Sequence, residues 1–396
     1  MKVKQVPSDF VVEERATIEA TDRGRYAVYR LHKRGIGTIE ALRALRRTWR
    51  VPARAVGFGG LKDRHADTVQ FVTIPQGPKR NLEEPAFRLT YEGQSDVPMS
   101  RTTLSGNHFR VRLRDLSRGE ADAVARRFAD ATRFGVPAYF DEQRFGSLRG
   151  GGGFAALHLL RGDAEAALRA VIASPAREDR KAVRERERAI RDAWGRFEEA
   201  LPRLTGTPLR APVLHLVRRP GDFVGALAAL DAEERRLLAS AYASAVWNRT
   251  VARRIEAIVR NDDRIIFPGA AGPLVFAKDF AALAEFDGAV LPMPAPKAAA
   301  SDPVWQAALE ATLAEDGLTL DRLVFPKVLA MPLRPTKRPV LFRPQDARVE
   351  AAAPDDLNPG RSRLDLAFTL DRGLYATILL KRIAFDVDRL PVGDLA

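Results

Sequence analysis

The sequence contains no cysteine. Disulfides, thiolate catalysis and cysteine-bound zinc are therefore excluded. Histidine is scarce, with five in the chain. His32, His65, His108, His158 and His215 show neither an H-E-x-x-H pattern nor a paired spacing, so each reads as structural and no metal site is expected. The G-x-S-x-G signature of a serine nucleophile is absent as well. No stretch approaches the roughly 18 apolar residues of a membrane span, and the opening MKVKQVPSDF lacks an apolar export core. A soluble, cytoplasmic protein that leaves membranes alone is expected. No internal repeat is evident.

What is present in excess is positive charge. Over 396 residues, 64 Lys and Arg face 51 Asp and Glu, a net charge of +13, and the pI is near 10.3. Such a surplus attracts polyanions over a Debye length and points towards nucleic acid, although an arginine-rich composition alone gives the same sign. Hydrophobic content of 46% marks a globular chain, and its length suits about two domains.

The first 150 residues alternate strand and helix patterns. SDFVVEE and YAVYRLHKR read as strands, and Thr38 is expected to cap the helix IEALRALRRTW. NHFRVRLRDL alternates Phe109, Val111 and Leu113 with Arg110, Arg112 and Arg114, so its arginine face is a solvated edge or a floor for phosphates. EADAVARRFADATRFG reads as a helix that ends at Gly135. The glycine run RGGGGF (149–154) suggests a flexible connection into a helical middle. There Asp163 caps DAEAALRAVI, REDRKAVRERERAIRDAWGRFEEAL is charged nearly all round, and DAEERRLLASAYASAVWNRTVARRIEAIV forms one long helix or two. The tail SRLDLAFTLDRGLYATILLKRIAF is expected to be two strands around a turn at 371–373. A β-rich beginning and end around a helical centre suggest an α+β chain with its middle inserted: residues 1–154 and 336–396 as one domain, 155–335 as the insertion.

Two stretches carry chemistry. In GLKDRHADTVQ, a glycine pair leads into Lys62, Asp63 and Arg64 on a loop between strands. Position 63 rules out a phosphate-binding loop, since Ser or Thr is needed after the lysine. The triplet is either solvated surface charge or an ionised carboxylate beside a cation, able to act as a nucleophile at carbon. Gly59 and Gly60 would let the backbone approach a ligand closely. In GVPAYFDEQRFGS, Tyr139, Phe140 and Phe145 lie among Gln143 and Arg144. Those rings either anchor a loop in the core or stack on an unpaired base.

Together these stretches resemble the two signatures of the TruD family of tRNA pseudouridine synthases, G-x-K-D-[KR]-x-A-x-T-x-Q and G-[VI]-P-N-Y-[FY]-x-x-Q-R-F-G. KQVPSDFVVEE, GNHFRVRLRDL, SAYASAVWNRTVARRI and TLDRGLYATILLKRI are similar to further family motifs in the same order, so the likeness runs nearly end to end. The resemblance implies a pseudouridine-synthase fold, a mixed and largely antiparallel sheet, with an inserted, mainly helical TRUD domain. It implies isomerisation of uridine to pseudouridine in tRNA, in bacteria typically uridine 13 of the D arm, without cofactor or metal.

By motif position, Asp63 matches the catalytic aspartate, and Lys4 a cation that keeps it ionised. Phe10 matches a ring lying against the substrate, Phe140 a ring that stacks on the target base, and Tyr375 a further base contact. The carboxylate would attack the sugar C1′ or remove the C2′ proton to give a glycal, and both routes stay open. Ala138 stands where the family has asparagine at the substrate, Gly37 replaces an asparagine before the first helix, and Asp371 replaces a proline. Those departures keep one rival in view, a non-catalytic tRNA-binding protein on the same fold. A monomer is expected.

Overall fold

A computed structural model describes residues 1–148, 151–176 and 179–387. Arg149 and Gly150 of the glycine run lie outside the described residues. The chain divides into two units, residues 1–136 with 342–396, and residues 137–341, against the 154/155 and 335/336 boundaries expected from composition.

The first unit is built on one large sheet. Its strands are β1 (Phe10–Ala16), β2 (Tyr26–Arg34), β3 (Gly57–Phe58), β4 (Asp67–Pro75), β5 (Leu82–Glu84), β6 (Phe87–Ser95) and β7 (Leu104–Leu116), joined by Gln345–Val349, Ala353–Pro354 and Ser362–Asp371 from the carboxy-terminal part. Across the sheet the order is Gln345–Val349, Ser362–Asp371, β7, β1, β4, β2, β6, β5. Every pairing along that order is antiparallel except β1 with β4, which run parallel with Val11 opposite Asp67. The mixed, largely antiparallel sheet and the helices packed on it make an α+β fold.

One face of this sheet is covered by helices. Helix α1 (Thr38–Trp49) buries Ala41, Leu42 and Leu45, spaced to form a single stripe, against Tyr29, Leu31, Val72 and Leu89. It ends where Arg50 takes the left-handed conformation at φ 54°. Its first turn departs from expectation by one residue. Gly37 is the N-cap, and the Glu40 carboxylate accepts its N–H at 3.2 Å. The Thr38 hydroxyl is thereby left for another use. Helix α2 (Arg118–Phe134) is capped by Ser117, which accepts from Glu120 N–H, and it rests Phe128 on Phe368.

The tail corrects a second expectation. Ser362–Asp371 is a strand, but Ala376–Ile383 is a helix, buried on all sides. The polar residues Thr377, Lys381 and Arg382 are buried along with the apolar ones, and in so short an apolar run the period alone does not tell a buried helix from a strand.

Arg114 does not share a solvated face with Arg110 and Arg112. The register slips between β7 and Ser362–Leu364, and Asp115 takes φ 58°. Arg114 is 2% exposed and donates to Asp9 at 2.9 Å, Asp355 at 2.7 Å and Asp356 at 2.9 Å. Burial alone would raise the Asp355 pKa, but N–H groups of Asp115 and Leu357, Asn358 and Arg114 hold it well below the usual carboxylate range. This cluster fastens the segment before β1 and the 355–358 turn onto β7, joining the two ends of the sequence.

The second unit is mainly helical. Its core gathers Leu168, Leu204, Leu227, Tyr242 and Leu313 around the helix Ala232–Ile258, a single helix capped by Asp231. Asp163 caps Ala164–Ile172 through Ala166 N–H, as expected. The charged stretch contributes Lys181–Asp192 and then breaks into 3-10 turns. Short strand pairs, Arg264–Phe267 with Leu274–Ala277 and Val290–Pro292 with Lys337–Pro339, interrupt the helical pattern.

Replacing Arg114 with Met is expected to leave Asp9 and Asp355 charged and unpaired, lowering the unfolding free energy by about 3–5 kcal/mol in urea denaturation at neutral pH. Because the Asp355 carboxyl is held below its ordinary 3.8, the stabilisation is complete above that value and is lost as the pH falls further. The wild-type advantage over the mutant should therefore shrink on acidification.

Candidate active site

Parallel pairing of β1 with β4 brings the segments preceding both strands to one end of the sheet. Lys4 lies on the first segment and Asp63 on the second. Lys4 Nζ donates to Asp63 Oδ2 at 2.5 Å, and the His65 N–H donates to Asp63 Oδ1 at 2.9 Å. Burial pushes the Asp63 pKa up, but these two bonds and the Lys4 charge outweigh it, so the carboxyl is held below its ordinary value. It is ionised at neutral pH and remains partly exposed. Lys4 adopts φ 59°, a left-handed backbone that costs a non-glycine residue about 1–2 kcal/mol. Its ammonium also lies 4.7 Å from the centroid of the Phe10 ring, which packs edge-on against Phe109.

The cations flanking Asp63 in sequence point elsewhere. Lys62 Nζ turns inward to Glu14 at 3.1 Å and Asn107 Oδ1 at 2.6 Å, and Arg64 pairs with Glu40 at 3.4 Å. The glycine pair also has an internal reason. A Cβ at Gly59 would stand 2.6 Å from Met99 Cε and 2.9 Å from Glu14 Oε1, whereas one at Gly60 would meet nothing within 4 Å. Gly59 lets the loop pass over Glu14.

The loop is fixed from beneath. Lys33 Nζ, buried, donates to the carbonyls of Asp63 at 2.7 Å and Ile36 at 2.9 Å. Burial pulls its pKa down to about 8, with the Asp63 charge opposing that fall. The Thr38 hydroxyl accepts the Lys62 N–H at 3.0 Å and donates to Gln70 Oε1 at 2.9 Å, while Gln70 Nε2 donates to the Gly60 carbonyl at 3.3 Å. The first residue of α1 thus holds the Asp63 loop. Glu14 is fixed in turn by the Phe71 N–H at 2.8 Å.

Tyr375 stands at the N-cap of the last helix, on the chain leaving Asp371, which pairs with Gly106 beside Asn107. Ala138 and Phe140 belong to the other unit. Ala138 is fully buried; its N–H donates to the Val340 carbonyl and its own carbonyl accepts from Arg338 Nε at 2.8 Å. The Phe140 ring is 8% exposed, with the Arg338 guanidinium 4.0 Å from its centroid and Trp247 edge-on at 5.8 Å. Asn248 clasps the Phe140 backbone, accepting its N–H and donating to its carbonyl.

A family model described as tRNA pseudouridine synthase D (TruD) matches residues 1–383. The chain belongs to this family. A Methanococcus maripaludis protein named Probable tRNA pseudouridine synthase D 1 is 30% identical, over 97% of this chain and 99% of its own. The tRNA pseudouridine synthase D of Aquifex aeolicus is 26% identical over 97% and 98%. A crystal structure of the Methanosarcina mazei TruD protein superposes with a TM-score of 0.72 at 27% identity, covering 97% of this chain and 93% of its own.

Within this family member, sequence reasoning passed over Glu14, Lys33, Gln70 and Asn107. A signal for them exists. Each occupies the inward phase of its strand, in Phe10-Val12-Glu14, Tyr29-Leu31-Lys33, Thr68-Gln70-Val72 and Asn107-Phe109-Val111. A buried phase that turns polar marks a network. Among the described residues no cluster of three His, Asp or Glu could hold a metal ion, and no described helix is long and apolar enough to cross a membrane.

Because Lys4 depresses the Asp63 pKa, replacing Lys4 with Met is expected to raise it. The acid limb of the single-turnover rate profile should move to higher pH, with the rate at neutral pH down by about tenfold or more. An unmoved acid limb would show that the ion pair does not govern this carboxylate.

Proposed function

We propose that this chain, an isomerase of the tRNA pseudouridine synthase D family, converts uridine 13 of the tRNA D arm to pseudouridine with Asp63 as its catalytic carboxylate. The observation that supports this reading most is the ionised Asp63, paired with Lys4 at 2.5 Å on a loop clamped by Lys33 and Thr38. A carboxylate without an ordered cation beside it would repel the anionic backbone of RNA. Here the Lys4 ammonium balances it while one edge stays accessible.

The isomerisation breaks the bond between C1′ and N1, turns the uracil, joins C1′ to C5, and transfers the C5 proton away as N1 gains one. Asp63 starts the sequence by attacking C1′ or by taking the C2′ proton. In both routes the carboxylate must be unprotonated, which Lys4 and the His65 N–H favour. Reaching a stacked uridine requires flipping it out, at on the order of a few kcal/mol. By motif position, Phe10 and Tyr375 are assigned to the base and Phe140 to stacking. Ala138 lacks a side-chain donor, so either backbone groups, water or another residue supply the hydrogen bond of the family asparagine, or affinity is lower. The unit of residues 1–136 and 342–396 is assigned the chemistry, and residues 137–341 the TRUD role of holding RNA.

The test maps pseudouridine in unmodified tRNA transcripts incubated with wild type and with Asp63→Asn. Product at position 13 with wild type, and a loss of at least about a thousandfold in the mutant, is the expected result. Product at another position would correct the target and leave the role of Asp63 intact. Tight tRNA binding by both proteins with no pseudouridine anywhere would replace the catalytic reading with a binding protein.

A further inference from the structure

The positive charge of the first unit is unevenly committed. On the outer face of the sheet lies a groove of about 1420 Å³, lined by arginines of β7 that alternation alone would make a phosphate floor. Three of its four arginines are neutralised: Arg15 pairs with Asp346, Arg110 with Glu13, and Arg112 with both oxygens of Asp365. Among the basic residues lining it, Arg15, Arg110, Arg112 and Arg348 are matched by Asp67, Asp346, Glu350 and Asp365. A groove so balanced offers a polyanion little.

Helix α1 is the opposite case. From Thr38 to Lys62 the sequence carries Arg43, Arg46, Arg47, Arg50 and Arg54, with Glu40 as the only acid in that span. Glu40 is already engaged by the Gly37 N–H and Arg64, and the neighbouring Glu84 by the Thr48 hydroxyl. Among the described residues Arg43, Arg47, Arg50 and Arg54 are exposed and have no carboxylate partner. Residues 43, 47 and 50 recur at intervals of four and three, placing them on one stripe. The buried face of α1 is occupied by Ala41, Leu42 and Leu45, so this stripe faces solvent, beside a shallow groove lined by Glu40, Arg43, Arg46, Arg47 and Val51. Arg46 alone is tied down, donating to the Val51 carbonyl.

The stripe starts at the candidate catalytic loop. Thr38 is bonded to Lys62, and Glu40 to Arg64, on either side of Asp63. At a rise of 1.5 Å per residue, Arg43 lies about 7–8 Å and Arg47 about 13–14 Å along the axis from Thr38. That interval suits consecutive backbone phosphates leading away from a flipped nucleotide. Unpaired guanidinium groups are open forks for phosphate oxygens and give up no internal ion pair when they bind.

Resting on the function proposed above, we infer that the arginine stripe of α1 and its C-cap, Arg43, Arg47 and Arg50, together with Arg54 of the turn that follows, is the surface that grips the tRNA phosphates flanking the target uridine. The stripe carries no exposed aromatic ring to read or stack bases, so it positions the RNA backbone without selecting sequence.

The test compares wild type, the triple variant Arg43→Gln, Arg47→Gln, Arg54→Gln, and the control Arg88→Gln, Arg110→Gln. The control removes two exposed arginines paired with Glu83 and Glu13, so it changes surface charge away from α1. Arg46 and Arg50 are left in place to spare the helix end. Thermal melts establish that all three proteins fold. The triple variant is expected to raise KM for tRNA about tenfold or more with little change in kcat. It should also lower the slope of log affinity against log salt by about 2–3, near 0.7–0.9 for each phosphate that is no longer neutralised. The control should stay within about twofold of wild type. Wild-type pseudouridine formation with an unchanged KM and salt slope in the triple variant overturns the inference. So does an equal loss in the control, which would assign the effect to net charge. Loss confined to binding of phosphatidylserine vesicles, with tRNA affinity intact, overturns it in favour of a membrane surface. Absence of pseudouridine with wild type is a failure of the underlying function and is seen separately, because the salt slope of tRNA binding is read without turnover.

Discussion

The parallel pairing of β1 with β4 is the constraint on which the candidate site depends. In an otherwise antiparallel sheet, successive connections deliver chain ends to alternating sides. One parallel pair breaks that alternation and sets the segments before both strands side by side. Lys4 and Asp63, 59 positions apart, become an ion pair at 2.5 Å for this reason. The left-handed backbone at Lys4 completes the approach. The unfavourable φ is held in place by the bond from Lys4 to Asp63.

Beneath the ion pair the sheet departs from ordinary burial. Glu14, Lys33, Gln70 and Asn107 stand in phase with Val12, Leu31, Val72 and Phe109, and each finds a partner in the loop above it or in the sheet. A buried ammonium such as that of Lys33 is tolerable because two carbonyls and a nearby carboxylate receive it. The cost of desolvating this network is exchanged for a loop with few alternative conformations, which is the condition for holding a nucleophile or base in place. The network under Asp63 and the cluster around Arg114 are two places where this unit keeps charge out of water.

Charge was the first signal in the sequence, yet its sum says little about where polyanions would bind. The arginines of β7 resemble a phosphate floor by alternation, but acids from neighbouring strands and turns, distant in sequence, neutralise them. The arginines of α1 look like those of an ordinary amphipathic helix, yet among the described residues Arg43 and Arg47 have no carboxylate partner. Pairing between distant segments decides which cations are available, and one-dimensional patterns do not record it.

The sequence by itself determined the family, the α+β class, most strands, the Asp163 cap, and Asp63 as the residue around which chemistry would be sought. Those features are carried by local periodicity, capping and contiguous motifs, all written within short windows. Only the tertiary structure decided that the cation on Asp63 is Lys4 while Lys62 and Arg64 face elsewhere. It also decided that Gly59 makes room for Glu14, that Arg114 is buried, and that Ala376–Ile383 is a helix. The helix follows from its burial in the core; the other outcomes depend on which strands lie next to one another and in what register. That is set by the packing of the whole sheet, so no single stretch of the chain contains it.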